Sequence, residues 1–191
     1  MASRGRRPGP SHTRDEILAA ARRLFAQHGF QGTTMRGIAA EAGVNAALVH
    51  HYYGSKEQLL IAAMNLPLDP VAVIEQLSEG GPRDQLGERI VRFFVRAWRD
   101  PSTSQPLQAL LRAAAATDAG GATMRQFIEN VMVPRVAELF DVPPLRVTGA
   151  LSQLIGFALA GTIIRVEPLA SASEDELVTL LAPSVQRYLG G

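Results

Sequence analysis

Apolar side chains recur along most of this chain at intervals of three and four residues, the spacing that places them on one face of an α-helix. The first such stretch contains Ile17, Leu18, Ala21, Leu24 and Phe25. Thr13 followed by Glu16 has the spacing of a capping box, and Gly29 stands where a helix commonly ends. The pattern therefore predicts a first helix over residues 14–28.

Two short helices are predicted next, each opened by a side chain that caps helix N-termini well. Thr34 precedes the second helix. Asn45 precedes the third, in which Val49 and Tyr53 fall four residues apart on the inward face. Gly43 lies between the two helices and permits the positive φ that a tight turn can require. This arrangement has the size of a helix-turn-helix, whose second helix must fit a major groove about 12 Å wide.

The rest of the chain is also predicted to be helical. A fourth helix is expected after Ser55 and should end at Pro67. Further helices are predicted over residues 70–78, 83–99, 104–117, 121–140, 144–166 and 174–189. Turns are expected at Gly80-Gly81-Pro82, Gly120-Gly121 and Pro143-Pro144. Pro134 should kink or interrupt its helix unless a shorter helix begins there. No segment has the alternation of a strand, so the predicted fold class is all-α.

Residues 147–164 form the one long stretch without a charged side chain. Glycine, serine, threonine and glutamine interrupt it and make it a poor membrane span. Small side chains on one face of a helix allow another helix to approach closely. The stretch is therefore predicted to be a buried interface helix, with Gly149, Ser152, Gly156 and Ala160 as its small-residue face.

The net charge of +1 conceals a difference between two parts of the chain. Residues 1–60 carry eight basic and four acidic side chains, a net charge of +4, whereas the remainder carries −3. A polyanion would therefore meet the N-terminal part. The absence of cysteine excludes disulfide scaffolds and thiolate metal sites. Because no apolar stretch follows the basic N-terminus, a secretory signal is not expected, and the protein is predicted to be cytoplasmic.

Several segments carry a more specific signal. They are Gly32-Thr33-Thr34-Met35-Arg36-Gly37-Ile38-Ala39-Ala40-Glu41-Ala42-Gly43-Val44, Leu48-Val49-His50-His51-Tyr52-Tyr53 and Ser55-Lys56-Glu57-Gln58-Leu59-Leu60. Together they resemble the DNA-binding head of the TetR family over residues 13–62. Ser152-Gln153-Leu154-Ile155-Gly156 and Arg165-Val166-Glu167-Pro168-Leu169-Ala170 are similar to the C-terminal domain of a regulator group common in actinobacteria.

Residues 1–11 contain arginine, glycine, proline and serine without apolar periodicity, which predicts a flexible basic arm. The resemblance implies a three-helix helix-turn-helix head over 12–60. A larger helical effector-binding and dimerisation body would occupy residues 61–191. It further implies a homodimer joined through the last two long helices, and a palindromic operator. It implies a repressor that an apolar or amphipathic small molecule releases from DNA. No catalytic activity, cofactor, metal or membrane partner is expected.

The family's DNA-contacting positions can be transferred to individual residues of this chain. Thr34 and Arg36 become phosphate-side candidates, and Lys56 matches a phosphate-binding lysine at the start of the fourth helix. The recognition-helix candidates are Asn45, Ala46, Ala47, His50, His51 and Tyr52. This chain departs from the family pattern at Ala46, Ala47 and His50. Because alanine offers only apolar contact, base reading would depend more on the remaining side chains and on DNA shape.

A ligand pocket is the second expectation from the family. The candidate lining residues are Phe94, Trp98, Met124, Phe127, Gln153 and Phe157. Core packing is the alternative role for these side chains.

A helical enzyme or carrier is the rival function, while the small net charge disfavours a non-specific nucleoid protein. Adjacent helical residues diverge by about 100°, which disfavours a metal site at His50 and His51. Effector, operator, regulatory sign and number of dimers per operator stay open.

Overall fold

The computed structural model describes residues 10–190, and within that range it is helical without a strand. The helices are α1 (Pro10–Gly32), α2 (Met35–Glu41), α3 (Ala46–Tyr53), α4 (Lys56–Met64), α5 (Pro70–Glu79), α6 (Leu86–Arg99), α7 (Pro101–Ala116), α8 (Asp118–Phe127), α9 (Val133–Phe140), α10 (Pro144–Phe157) and α11 (Glu174–Leu189). A 3₁₀ turn precedes α6. The all-α prediction is confirmed.

Helices α1–α4 form the head around a core of fully buried aliphatic and aromatic side chains. The largest of these are Ile17, Phe25, Ile38, Val49, Leu59 and Leu60. The predicted N-caps are present: the Thr34 hydroxyl accepts a hydrogen bond from Gly37 N at 3.0 Å. Asn45 Oδ1 accepts one from Ala47 N at 2.8 Å. These local bonds satisfy N–H groups that a helix start leaves without partners.

The body is organised around α6, which lies along α11. Gly87 permits this close approach, because a Cβ atom there would lie 2.6 Å from the carbonyl oxygen of Ala182. The Gly87 N–H also donates to Gln186 Oε1 at 2.7 Å. Farther along the same pair of helices, Arg92 and Glu174 form an ion pair at 2.9 Å. The apolar side chains of α6 are thereby fixed between α11 and the helices on its other side.

Two long helices contain wider, π-helical turns, at Ile128–Met132 between α8 and α9 and at Ala158–Ile164 after α10. The first of them ends at Met132, and α9 begins at Val133 with Pro134 in its first turn. The sequence predicted either a kink at Pro134 or a shorter helix beginning there, and the structure agrees with the second. Proline has no N–H, and its ring collides with the carbonyl group four residues earlier. In the wider turn the Val133 N–H bonds to the carbonyl oxygen of Ile128, and this turn leads directly into α9, whose first turn tolerates the proline.

The first and fourth helices have boundaries that differ from the predictions. Helix α1 begins at Pro10, so Thr13 lies inside the helix and the predicted capping box is wrong. The arm predicted over residues 1–11 lies outside the described residues except for its last two, which belong to α1. Helix α4 ends at Met64, because the left-handed backbone of Asn65 (φ 55°) stops the helix before Pro67.

Two boundaries in the body also differ. Helix α7 begins at Pro101 rather than 104, because Asp100 caps it through a hydrogen bond from Ser102 N at 2.8 Å. The turn predicted at Gly120-Gly121 lies earlier, at Thr117, and both glycines are inside α8. Thr117 caps α8 by accepting a hydrogen bond from Gly120 N at 3.0 Å. A capping side chain outweighs the weak helix propensity of the glycines that follow it.

Among the described residues, the continuous helix Pro144–Ile164 has the length and composition to cross a membrane. Those two properties do not distinguish a membrane span from a helix that packs in a soluble protein. One third of its most apolar window is buried within the fold. The rest includes exposed apolar side chains, among them Leu145, Leu159 and Ile164. An apolar surface therefore remains on this helix in the single chain.

Candidate nucleic-acid interface

A tight turn joins α2 to α3 and sets how the two helices cross. The Ala42 N–H donates to the carbonyl oxygen of Ile38 at 2.9 Å, and the Val44 N–H donates to that of Ala39 at the same distance. Gly43, between them, has φ 66°, as the sequence predicted for this turn. On α3, Val49 and Tyr53 are buried in the head. The opposite face of α3 is therefore directed away from the protein.

That outer face is polar and apolar in turn. Ala47, Leu48, His50 and His51 are exposed, while Ala46 and Tyr52 are half-buried. Leu48 was not among the sequence candidates, because a leucine at helical spacing is usually assigned to a core. Its exposed fraction of 39% places it instead beside the predicted contact residues. An exposed leucine on such a face can make apolar contact with a thymine methyl group.

The two histidines have different local partners. His50 Nδ1 lies 3.0 Å from the carbonyl oxygen of Gly54, just past the end of α3. Because a carbonyl oxygen only accepts, this bond requires the proton on Nδ1 and leaves Nε2 for another partner. The His51 ring meets the Tyr52 ring edge-on, with centroids 5.4 Å apart. Each imidazole is thus oriented by a contact within α3 or its C-terminal turn.

Lys56 occupies the start of α4 and reaches back to the end of α1. Its Nζ donates to the carbonyl oxygens of Phe30 at 2.9 Å and Thr33 at 3.1 Å. The same ammonium lies 4.2 Å from the centroid of the Phe30 ring, within range of a cation–π interaction. The predicted phosphate contact of Lys56 would therefore have to use the third N–H of a group that already joins two helices.

The other phosphate-side candidates lie on α2. The Thr34 hydroxyl oxygen is occupied in capping, as is the Asn45 side-chain oxygen at the start of α3. Arg36 is exposed and forms no ion pair with any described residue. Glu41, at the end of α2, is neutralised by Arg23 on α1 at 3.0 Å. The exposed charge that α2 presents is therefore that of Arg36.

A cavity of about 200 Å³ lies in the body, and its lining is almost wholly apolar. Phe94, Trp98, Met124 and Phe127, four of the six predicted pocket residues, line it together with side chains from α5, α7 and α10. Gln153 does not line it. Phe157 lies behind Phe94, with ring centroids 6.3 Å apart, and lines a different cavity. Both residues lie on α10, which contributes Leu151, Leu154 and Ile155 to the lining instead.

Hydrogen bonds between α1 and the segment 126–130 connect the wall of this cavity to the head. The sequence pattern did not predict them. Gln31 on α1 donates to Asn130 Oδ1 at 2.8 Å. Gln126 Nε2 lies 3.4 Å from the carbonyl oxygen of Phe25, and Gln126 Oε1 is buried without a partner among the described residues. The cavity residue Phe127 follows Gln126 directly along the chain. One helical segment therefore touches both the head and the cavity.

The predicted small-residue face of α10 is only partly open. Gly156 is exposed, and a Cβ atom there would meet no other atom within 4 Å. Gly149, in contrast, faces the Tyr188 ring of the same chain, which a Cβ atom would approach to 2.8 Å. Ser152 is exposed and Ala160 is half-buried. Exposed apolar side chains adjoin this face on α10, its π-helical extension and α11, namely Leu145, Leu159, Ile164 and Leu180.

Within the described part of the chain, no group of three histidine, cysteine, aspartate or glutamate residues is placed to hold a metal ion.

Comparison with known families gives two matches. A family model described as bacterial regulatory proteins, tetR family, matches residues 17–63. A second, described as a tetracyclin repressor-like C-terminal domain, matches residues 84–189, which is more than half of the chain. The first covers the head with its α2–turn–α3 unit. The second covers most of the helices that line the cavity, though not α5, and includes the open face of α10.

Individual proteins are similar over shorter or longer segments. The HTH-type transcriptional regulator BetI of Agrobacterium fabrum is 45% identical over 95 residues, covering 47% of this chain and 45% of the relative. The HTH-type transcriptional repressor AcnR of Corynebacterium glutamicum is 38% identical over 72 residues, covering 38% and 37%. The similarity thus spans less than half the length of these two relatives. A TetR-family regulator of Streptomyces coelicolor is 33% identical, with 98% and 99% covered and a TM-score of 0.49.

Proposed function

Because the chain belongs to the TetR family of bacterial regulatory proteins, we propose that it is a sequence-specific DNA-binding transcriptional regulator that acts as a repressor in the cytoplasm. The observation that carries this proposal is the α2–turn–α3 unit. The inner face of α3 is fixed by buried Val49 and Tyr53, and its outer face is free to enter a major groove. The positive charge of the N-terminal part favours the DNA backbone.

The operator would be palindromic, because the protein would bind it as a symmetric dimer. The exposed face around Gly156, with the apolar side chains beside it, supports a helix-packed interface between two copies through α10 and α11. Two copies related by a twofold axis present two α3 helices, which read two half-sites in inverted orientation. One weak half-site contact per head then becomes a tight contact for the dimer.

An apolar or amphipathic small molecule would release the operator by occupying the cavity near Phe94. Met124 and Phe127 line that cavity, while Gln126 and Asn130 of the same helical segment touch α1. A ligand that repositions this segment therefore has a direct route to the head. It shifts the equilibrium only by its differential affinity for the DNA-competent and DNA-incompetent arrangements.

The experiment is selection of bound duplexes from random DNA with the full chain, followed by footprinting on the selected sequence. We expect an inverted repeat whose half-sites lie about 34–36 Å apart, one helical turn. The Ala47→Glu variant should lose binding, because it adds a negative charge on the exposed face of α3. Ala115→Glu, exposed on α7, is the matched control and should bind like the parent. Selection without an enriched sequence, or equal binding by both variants, would refute the proposal.

A further inference from the structure

A second cavity, of about 490 Å³, lies in the body and shares the lining residue Trp98 with the apolar one. It is bounded by the C-terminal end of α6, the first turns of α7, the π-helical extension of α10, the following loop and α11. Trp98 is the residue common to the linings of both cavities. The two cavities are therefore adjacent, and the Trp98 side chain borders both of them.

The second cavity has an apolar base and a polar rim. Its buried lining residues include Val95, Trp98, Phe157 and Leu177. Ser104, only 6% exposed, and half-buried Gln108 add hydrogen-bonding groups from α7. A flat or chain-like apolar body would therefore contact the base, while a polar group of the same molecule would remain at the rim.

The rim carries a positive charge. Arg99 and Arg165 both line the cavity, against a single carboxylate, that of Glu167. Arg99 donates to the carbonyl oxygen of Ala172 and so fixes the loop over the cavity. Arg165 forms no ion pair with any residue in the range 10–190, and its left-handed backbone (φ 62°) ends the preceding helix. Its guanidinium is therefore a cation at the cavity mouth that is not in an ion pair with any carboxylate in that range.

The neighbouring carboxylates are already engaged with protein groups. Glu167 Oε2 accepts hydrogen bonds from the Ser171 hydroxyl at 2.6 Å and the Ser171 N–H at 3.2 Å. Asp100 caps α7. On α11, Glu174 is paired with Arg92 and Arg96. A bound anion would thus face two arginines and one hydrogen-bonded carboxylate, an arrangement that favours negative charge in the ligand.

We propose that this cavity is a binding site for an amphipathic organic anion, namely a carboxylic acid with an aromatic or medium-length aliphatic body. The carboxylate is held at the rim by Arg165 and Arg99, whose planar guanidinium groups match its geometry. The apolar body rests against Trp98 and Phe157. This site differs in chemistry from the apolar cavity, and it does not depend on the proposed DNA-binding function.

Trp98 is the single tryptophan of the chain, so its fluorescence reports directly on occupancy of this site. The full-length protein is titrated with 3-phenylpropionate and with octanoate, and in parallel with the neutral amide of each acid. At least one acid should give a saturable change in Trp98 emission and bind about tenfold more tightly than its amide, the loss expected when one charge-assisted hydrogen bond is removed. Added salt should weaken the acid and leave the amide unchanged.

Because Trp98 also lines the apolar cavity, variants must assign the signal. Arg165→Gln should weaken the acid about tenfold, while Glu167→Gln, which keeps an acceptor for Ser171, should strengthen it. Arg125→Gln, exposed on α8 and absent from both linings, is the matched control and should bind like the parent. The proposal is overturned if neither acid saturates, if both amides bind as well as their acids, or if Arg165→Gln and Glu167→Gln both match the control. None of these readouts involves DNA, so they leave the regulatory proposal untouched.

Discussion

The ammonium group of Lys56 forms hydrogen bonds within the head in the absence of DNA. Two of its three N–H groups bond to the carbonyl oxygens of Phe30 and Thr33, where α1 gives way to α2. Those carbonyls belong to the end of a helix, which has unpaired acceptors and a negative dipole end. The sequence resemblance suggested only the phosphate contact, since spacing along the chain does not show which backbone oxygens an ammonium can reach.

The two roles of Lys56 can be separated by comparing Lys56→Ala with Arg36→Ala. Each change should reduce the salt dependence of operator binding by about one unit, because each would remove one of the proposed phosphate contacts. Lys56→Ala alone should also lower the free energy of unfolding, by about 1 kcal/mol, since it removes the ammonium donor from two carbonyl groups, of which that of Phe30 keeps a hydrogen bond from the Thr33 N–H at 3.3 Å. Operator titrations at several salt concentrations, with urea unfolding of both variants, measure these effects.

An unchanged salt slope for a folded Lys56→Ala protein would mean that the lysine is only structural. Equal unfolding free energies in Lys56→Ala and Arg36→Ala would mean that its bonds to Phe30 and Thr33 contribute nothing.

At the scale of elements, the sequence predicted best the features that depend on interactions between residues close together along the chain. The caps at Thr34 and Asn45 and the turn at Gly43 depend on local hydrogen bonds and local φ, and all three are confirmed. The wider turn before Pro134 was not predicted, because it reflects how a long helix accommodates a missing N–H. The sequence also did not show that Gln153 lies outside the cavity lining, because several helices pack around α10 and each contacts a different face of it.

Ion pairs contribute to the packing of α6 against α11, and their contribution to stability should decrease at acidic pH. Partial burial acts to raise the pKa of Glu174, but hydrogen bonds from Arg92 and Arg96 outweigh it, so the pKa lies below its ordinary value. A carboxylate with a lowered pKa in the folded state stabilises the fold above the unfolded-state pKa, about 4.3. That contribution is lost as the pH falls through the lower, folded-state pKa.

Glu174→Gln should therefore reduce stability at neutral pH and should flatten the decline of stability below about pH 4.3. Urea midpoints measured over a series of pH values test this expectation. Glu79→Gln, exposed at the end of α5 and outside every described ion pair, should follow the parent at each pH. Parallel pH curves for Glu174→Gln and the parent would exclude the ion pair from acid sensitivity.

At the scale of the whole molecule, the open face of α10 offers a clean test of dimerisation. Gly156→Leu places a large side chain where the single chain has free space, so the fold of one copy should be unaffected. In a packed interface the same side chain would overfill the contact, at about 1–3 kcal/mol, and weaken the dimer roughly tenfold or more. Sedimentation over a concentration series measures this, and operator affinity should fall with dimer stability.

Ala119→Leu, exposed on α8, is the control for added apolar bulk and should leave the dimer unchanged. Gly149→Leu is unsuitable for this test, because it would collide with Tyr188 inside its own chain. A Gly156→Leu protein that dimerises like the parent would place the interface on another surface.

The proposed coupling of the apolar cavity to the operator would be a property of the whole dimer, and it can be tested through reciprocity. A cavity ligand, found by thermal-shift screening, should weaken operator binding by about 5- to 150-fold, and operator DNA should weaken the ligand by the same factor. Ala97→Leu, which fills part of the cavity, should reduce ligand affinity while the ligand-free protein still binds the operator. Ala115→Leu, exposed on α7, should do neither.

The hydrogen bond between Gln31 and Asn130 should carry part of this coupling, because it joins the helical segment beside the cavity to α1. Gln31→Ala lies outside the cavity lining, so it should leave ligand affinity in the absence of DNA unchanged. It should nevertheless reduce the factor by which ligand and operator oppose each other, by about 2- to 30-fold, the effect of 0.5–2 kcal/mol of lost coupling. Measuring the four affinities of the parent and of Gln31→Ala gives the factor directly. An unchanged factor would leave α4 as the route to the head, through the loop after it, which contributes Leu66 and Leu68 to the cavity.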